Sequence, residues 1–445
     1  MLRVPSPVLK VIEETVKPEE LLQMRTLTVD YDMATRQLLV LGPVANHSEH
    51  QDVPLAGLIC NAPALRELRV HEPVQNVYRL DLDWSKLTHF RAETGLGVQK
   101  PEDVLRVLAR GAPSLQSVIV SASFRPPYTT NSNPDRDIIT LPSLHTLSFA
   151  LQFDVSVAAM HLQQGLNLAA PGADGGQEVG AQIQDLFDSI CTPNLKHLTV
   201  RFGNVVDLHE THVAPQVPFV QLLLRSACRL ESLDIGFVMT KESLIECLAS
   251  VPTLKSLTIE ECLWTVMRDR QRMAFLNHQN PATAAITLEA IAEHAILTDE
   301  FLQRFSPISE GGNEDPPTIP LCPELETLTL QKCESLSEMA LVKFVQARAP
   351  PEPAQEGSAE SGPTPPLPSS STKPLRYLNA AFQREKGMIT DVDMAARKEM
   401  KELKKAANVV ISYPKNSIPP DLPHSGQHPP GVAFRSSAWR NLLWE

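Results

Sequence analysis

The chain has 445 residues, enough for two or three average domains or for one elongated array of repeats. Its 40 Lys+Arg against 52 Asp+Glu leave a net charge of −12, which argues against a general nucleic-acid binder. The 42% of hydrophobic residues exclude wholesale disorder, and the absence of a Gly-rich phosphate loop removes most nucleotide-dependent enzymes.

Residues 1–19 form an N-terminal segment; within its first sixteen residues two prolines and early acids leave no continuous apolar region, so no signal peptide is expected. From residue 20 to 414 one phrase recurs, Pro-x-Leu-x-x-Leu-x-apolar. Clean copies start at Pro63, Pro113, Pro142, Pro193, Pro252 and Pro323. Leu230-x-x-Leu233-x-Ile235 lacks only the proline, and weaker copies start at Met24, Leu87 and Leu375. The last two apolar positions alternate with polar ones, which is the period of a half-buried strand. The first Leu is expected to enter the core just before the strand, with the proline holding an extended entry.

Helical patterns precede most copies. Pro101–Gly111 has a proline at its first position and a glycine where a left-handed stop would fall. Residues 181–190 and 240–249 follow the same pattern, the latter with Thr240 as N-cap, and Thr298 is expected to cap a helix over 296–305. Strand, loop, helix, strand is therefore the expected unit. Its irregular spacing requires insertions, and 171–180, 308–320 and 350–374 read as disordered ones. Residues 415–445 make a Pro-rich C-terminal tail.

The seven cysteines are scattered and include no C-x-x-C pair, which excludes a disulfide framework and a zinc signature and fits a reducing compartment, cytoplasmic or nuclear. Cys60, Cys191, Cys228 and Cys322 fall just before repeat strands and read as small buried turn fillers rather than nucleophiles. Cys262 and Cys333 share a position after the strand. The acid pairs Glu260-Glu261 and Asp81/Asp83 read as solvated faces, and the run from Arg397 to Lys405 as a soluble helix face. His47/His50 and His209/Glu210/His212 bracket a glutamate but miss the i, i+4 spacing that aims two imidazoles at one metal, so loop histidines are the simpler reading. A metal-dependent hydrolase using His209 and His212 with Glu210 as base remains the alternative from a different class. No cofactor is expected.

The segment Leu321-Cys-Pro-Glu-Leu-Glu-Thr-Leu-Thr-Leu-Gln-Lys-Cys-Glu-Ser-Leu-Ser-Glu-Met-Ala-Leu341 resembles the cysteine-containing leucine-rich repeat of fungal F-box proteins. Leu254–Cys262 repeats its front half. The resemblance implies an α/β leucine-rich-repeat solenoid, a curved parallel sheet with outer helices. It also implies a substrate-recognition role in a cullin–RING ubiquitin ligase. Nothing in residues 1–60 resembles the F-box itself, so direct docking on a Skp-type adaptor is not expected, and a complete or truncated receptor stays as the alternative. The expected function is a non-enzymatic protein-interaction scaffold with an unknown protein partner, no nucleic acid and no membrane. Its concave face would carry Glu67, Arg69, His71, His89, Arg91 and Glu93 on the early rungs. On the later ones it would carry His197, Thr199, Arg201, Asp234, Thr258, Glu260, Thr327, Thr329 and Gln331.

Overall fold

The computed structural model describes residues 2–5, 11–12, 15–30, 62–71, 82–92, 100–124, 137–153, 183–202, 217–236, 239–261, 295–306, 320–333, 335–349, 372–382, 396, 398–399, 401 and 407–413. Expectations for Cys60, Asp81, Glu93, Cys262, the two histidine clusters, insertion 171–180, most of 308–320 and 350–374, and the tail 415–445 lie outside them.

Fourteen strands are described. The first seven are β1 (Leu2–Pro5), β2 (Thr26–Asp30), β3 (Glu67–Val70), β4 (His89–Ala92), β5 (Ser117–Phe124), β6 (Ile139–Thr140) and β7 (Thr146–Phe153). Then come β8 (Ile190–Cys191), β9 (His197–Phe202), β10 (Ser232–Gly236), β11 (Ser256–Glu260), β12 (Thr327–Cys333), β13 (Tyr377–Phe382) and β14 (Asn408–Ser412). Twelve build one parallel sheet in chain order, while β6 and β8 pair with each other beside it. A parallel neighbour needs a crossover of a dozen or more residues, and helices supply several of these. The helices are α1 (Pro18–Leu21), α2 (Pro101–Gly111), α3 (Val220–Ser226), α4 (Lys241–Ala249), α5 (Asp299–Gln303) and α6 (Glu338–Ala347). The molecule is thus α/β with a large parallel sheet.

Register explains why each phrase keeps its leucines. Leu27, Leu68, Phe90, Val118, Leu147, Leu198, Leu233, Leu257, Leu328, Leu378 and Val409 stand opposite one another from strand to strand. All are buried. A second row runs two residues later, from Val29 and Val70 to Leu330 and Ala380, and is also buried. Each such side chain contributes roughly 1.5–3 kcal/mol when removed from water. The helices feed the same core through Val104, Leu105, Val107 and Leu108 of α2 and Leu244, Cys247 and Leu248 of α4. Edge-to-face rings join neighbouring units, with Phe149–Phe187 centroids 5.2 Å apart and Phe187–Phe219 5.8 Å.

The phrase's proline acts differently from expectation. In five of the six clean copies the first Leu N–H donates to the residue before the proline: Leu65 to Ala62, Leu144 to Leu141, Leu195 to Thr192, Leu254 to Val251 and Leu325 to Cys322. Proline is therefore the second residue of a β-turn, where its fixed φ suits the chain reversal. The next residue is polar in most copies, and its side chain reaches back one unit. Ser114 Oγ donates to Leu87 O at 2.6 Å, Asn194 Nδ2 to Pro142 O at 2.7 Å and Thr253 Oγ1 to Leu230 O at 3.0 Å. Gly111 is not a left-handed stop either. It ends α2 with Ala112 still in right-handed conformation. It is needed because a Cβ there would lie 2.5 Å from Leu115 Cδ1.

The expected caps form. Thr240 accepts from Ser243 N at 3.2 Å and Thr298 from Phe301 N at 3.3 Å, although the second helix is only Asp299–Gln303. Among the described residues no helix is long and apolar enough to cross a membrane.

Candidate interaction face

Alternation sends every second strand residue away from the core, and most of the residues so placed are polar, with Ile119 and Val410 as exceptions. Three rows result. Glu67, His89, His197 and Thr327 stand on the first, with Arg69, Arg91, Thr199, Asp234, Thr258 and Thr329 on the middle row. On the third are Arg201, Gly236, Glu260 and Gln331, each in register with its neighbour or directly following a registered pair. His71 follows the end of β3. All are half-buried except exposed His89 and His197 and buried Gly236.

Four charges on successive strands β9 to β12 close into one network. Arg201 on β9 donates from Nε to Asp234 Oδ1 at 3.0 Å and from Nη2 to Oδ2 at 2.9 Å, a two-pronged pair across to β10. Its Nη1 reaches Glu260 Oε2 on β11 at 3.3 Å, and Lys332 Nζ on β12 lies 2.6 Å from Glu260 Oε1. Crossing from β9 to β11 requires a low point on β10. Gly236 supplies it, since a Cβ there would press on Arg201 Cγ at 3.2 Å and Glu260 Oε2 at 3.4 Å. Burial pushes the Asp234 carboxyl above its usual pKa range, against the pull of Arg201.

Lys332 enters the network through a bulge. Between Leu330 and Cys333 the register with β13 shifts, and Lys332 takes a left-handed φ of 59°. Lys332 and Gly236 were missed by the sequence reading. The signal for the first is visible, because two consecutive polar residues separate buried Leu330 from buried Cys333 and break the alternation.

The pair Glu260-Glu261 is not a solvated face. Glu260 is only 13% exposed within the network, and Glu261 is buried. The Glu261 carboxylate accepts from Ile296 N and Leu297 N, both at 3.1 Å, and so ties the start of the α5 region to the end of β11. Cysteine placement also needs correction. Cys322 and Cys333 are buried, but Cys191 and Cys228 are half-buried rather than enclosed fillers. Burial raises the Cys322 thiol to about 12 and the Cys247 and Cys228 thiols above their usual value, so these three are held protonated.

A second charged row runs along the N-terminal ends of the strands. Each residue before the strand donates its N–H to its counterpart on the preceding one: Glu231 to Lys196, Lys255 to Glu231, Glu326 to Lys255 and Arg376 to Glu326. Their charges alternate strictly. Lys255 Nζ lies 3.3 Å from Glu231 Oε2, and Arg376 Nε lies 3.2 Å from Glu326 Oε2. The bond to Lys255 also holds the Glu231 carboxyl below its usual range.

The early strands are arranged otherwise. Arg69 Nε donates to Glu67 Oε1 at 2.7 Å within its own strand, and Thr26 Oγ1 to Glu67 Oε2 at 3.2 Å. Arg69 and Arg91 occupy opposed positions on β3 and β4. At the strand starts Arg66 N–H donates to Arg25 O, so two more arginines are neighbours. Among the described residues no group of three or more His, Cys, Asp and Glu could hold a metal.

No protein-family model matches the chain, and no curated protein is significantly similar to it.

Proposed function

We propose that the chain is a leucine-rich-repeat solenoid working as a non-enzymatic protein-interaction scaffold, with the polar sheet face receiving the partner. The observation that carries this reading is the twelve-stranded parallel sheet running in chain order, one face all core and the other in-register polar rows. Such a face extends over many units, which suits a long partner surface better than a small substrate. The resemblance of Leu321–Leu341 to F-box-type repeats adds substrate capture for ubiquitin ligation as the biological setting.

The experiment is affinity capture from extract with the full chain and with the double variant Arg69→Glu/Arg91→Glu. Loss of one defined partner from the variant, with unchanged circular dichroism, is expected. An identical set of captured proteins would move the binding surface off these strands.

A further inference from the structure

A sheet that runs in chain order has two edges, and the outer strand at each presents N–H and C=O groups to any strand laid beside it. At one edge β1 carries Arg3 and Pro5, residue types that blunt such pairing. At the other edge β14 has no such protection. From Asn408 to Tyr413 the chain holds no charge and no proline, and its central Val-Val-Ile is strongly strand-forming. Among the described residues no strand lies beyond β14.

Val410 stands on the polar face, in register with Asn379 of β13, yet it is apolar and 40% exposed. Val409 and Ile411 turn the other way, the first buried and the second packed against the core. The direction of the backbone groups is fixed by one bond. Asn408 N–H donates to Arg376 O, on the β13 side, at 3.0 Å. Backbone groups alternate sides along a strand, so Asn408, Val410 and Ser412 bond inward to β13, while Val409 and Ile411 aim N–H and C=O outward. The segment Asn-Val-Val-Ile-Ser is also nearly palindromic in chemistry about Val410: polar, aliphatic, Val, aliphatic, polar from either end. Laid antiparallel on a second copy with Val410 at the centre, Val409 of one chain meets Ile411 of the other. These are the residues whose outward groups can exchange both backbone bonds. Val410 then meets Val410 as the intervening non-hydrogen-bonded pair, where Cα atoms approach to about 4.5 Å and side chains touch. Asn408 faces Ser412, both exposed. Side-chain pattern, exposure and backbone direction all select this register.

We propose that β14 is a dimerisation edge, pairing antiparallel with β14 of a second copy about a two-fold axis between the two Val410 residues. Such an isologous pair closes on itself, whereas β14 pairing with the blunted β1 edge would run on into a filament. The axis stands normal to the sheet, so both polar faces come to lie on one side of the dimer. One strand pair buries less than the roughly 1,200 Å² of a tight interface, so association in the micromolar range is expected.

The test is sedimentation equilibrium of the full chain up to about 100 μM, where a monomer–dimer equilibrium is expected. Val410→Lys sets two ammonium groups against each other across the axis and is expected to weaken dimerisation about tenfold or more. Circular dichroism should not change, because the side chain replaced is an exposed one. Val410→Asp should behave alike, and an equimolar mixture of the two variants should associate again as a heterodimer. Val410→Cys alters the strand least and is the second probe. Cα atoms this close accept a disulfide, so mild oxidation with diamide should give a covalent dimer in higher yield than from Leu224→Cys, 56% exposed on α3. A chain that stays monomeric at about 100 μM would overturn the proposal, and so would dimerisation unaffected by Val410→Lys. A mixture that fails to associate, or equal cross-linking from the two cysteine variants, would reject the register. Oligomers that keep growing with concentration would reject the closed two-fold pair.

Discussion

The two halves of the sheet use the same strand and the same buried rows but spend their charges differently. From β9 to β13 charges lie in register with opposite charges, both along the strand starts and in the Arg201–Asp234–Glu260–Lys332 network. From β2 to β4 Arg69 pairs with Glu67 within one strand, Lys86 pairs with Asp83 ahead of β4, and Arg69 stands in register with Arg91. Parallel pairing with near-identical Leu-x-Leu cores leaves the order of units weakly specified by hydrophobicity alone, because every rung offers the same two apolar positions. Alternating charges distinguish the later rungs from one another. The starts of β2 to β7 carry Arg25, Arg66, Thr88, Gln116 and His145 instead, so no alternation of sign distinguishes those rungs along this row.

The largest test of this division is Arg201→Leu. Removing the guanidinium leaves Asp234 and Glu260, 24% and 13% exposed, without their shared arginine, while Lys332 still pairs with Glu260. Breaking a buried pair on one side costs about 3–5 kcal/mol, and the partial exposure here places the expected loss at about 3 kcal/mol. Denaturant unfolding would measure it, and hydrogen exchange should open first at β9 to β12. A loss below about 1 kcal/mol would mean that the network is ornamental to the later half.

A pair of charge reversals then sets the halves against each other. Glu326→Lys places a third cation between Lys255 and Arg376 and removes the contacts of Glu326 to Arg376 and Lys373. These partners are partly exposed, so a loss of about 1 kcal/mol is expected. Arg91→Glu makes an opposite-charge neighbour for Arg69 but removes the contacts Arg91 itself makes, so a net change of no more than about 0.5 kcal/mol is expected. The melting temperature should therefore fall by more in Glu326→Lys than in Arg91→Glu. Equal losses in both would erase the distinction between the halves.

Much of this arrangement was legible in the residues. The Leu-x-x-Leu-x-apolar spacing located ten of the twelve strands of the parallel sheet, all but β1 and β14, and Thr240 and Thr298 announced their caps because an N-cap is a local interaction. The acid pair Glu260-Glu261 was misread because its partners are remote in sequence. Arg201 lies 59 residues before Glu260, and Ile296 35 residues after Glu261. Proline's role was misjudged for a different reason: an extended entry and the second position of a β-turn both accept its fixed φ, and only the Leu N–H partner separates them. The bulge at Lys332 could have been found by counting, since alternation fails by one residue. Gly236 could not, because its importance lies in the arginine that crosses over it.

The smallest expected effect concerns Asp234. Burial raises its pKa in the folded chain above the unfolded value, and the Arg201 pair offsets only part of that shift. The folded state then binds the proton more readily, so this group's contribution to stability increases as pH falls from neutrality through the raised pKa towards the unfolded value near 4. This is opposite in sign to Glu231, whose pKa is lowered by Lys255 and whose contribution fades on acidification. Comparing melting temperatures of the unmodified chain and Asp234→Asn between pH 7 and 4 isolates the difference. The gap should move in favour of the unmodified chain as pH falls. A gap moving the other way would show that Arg201 outweighs burial at this site, making the network a stronger lock on the later half than its exposure suggests.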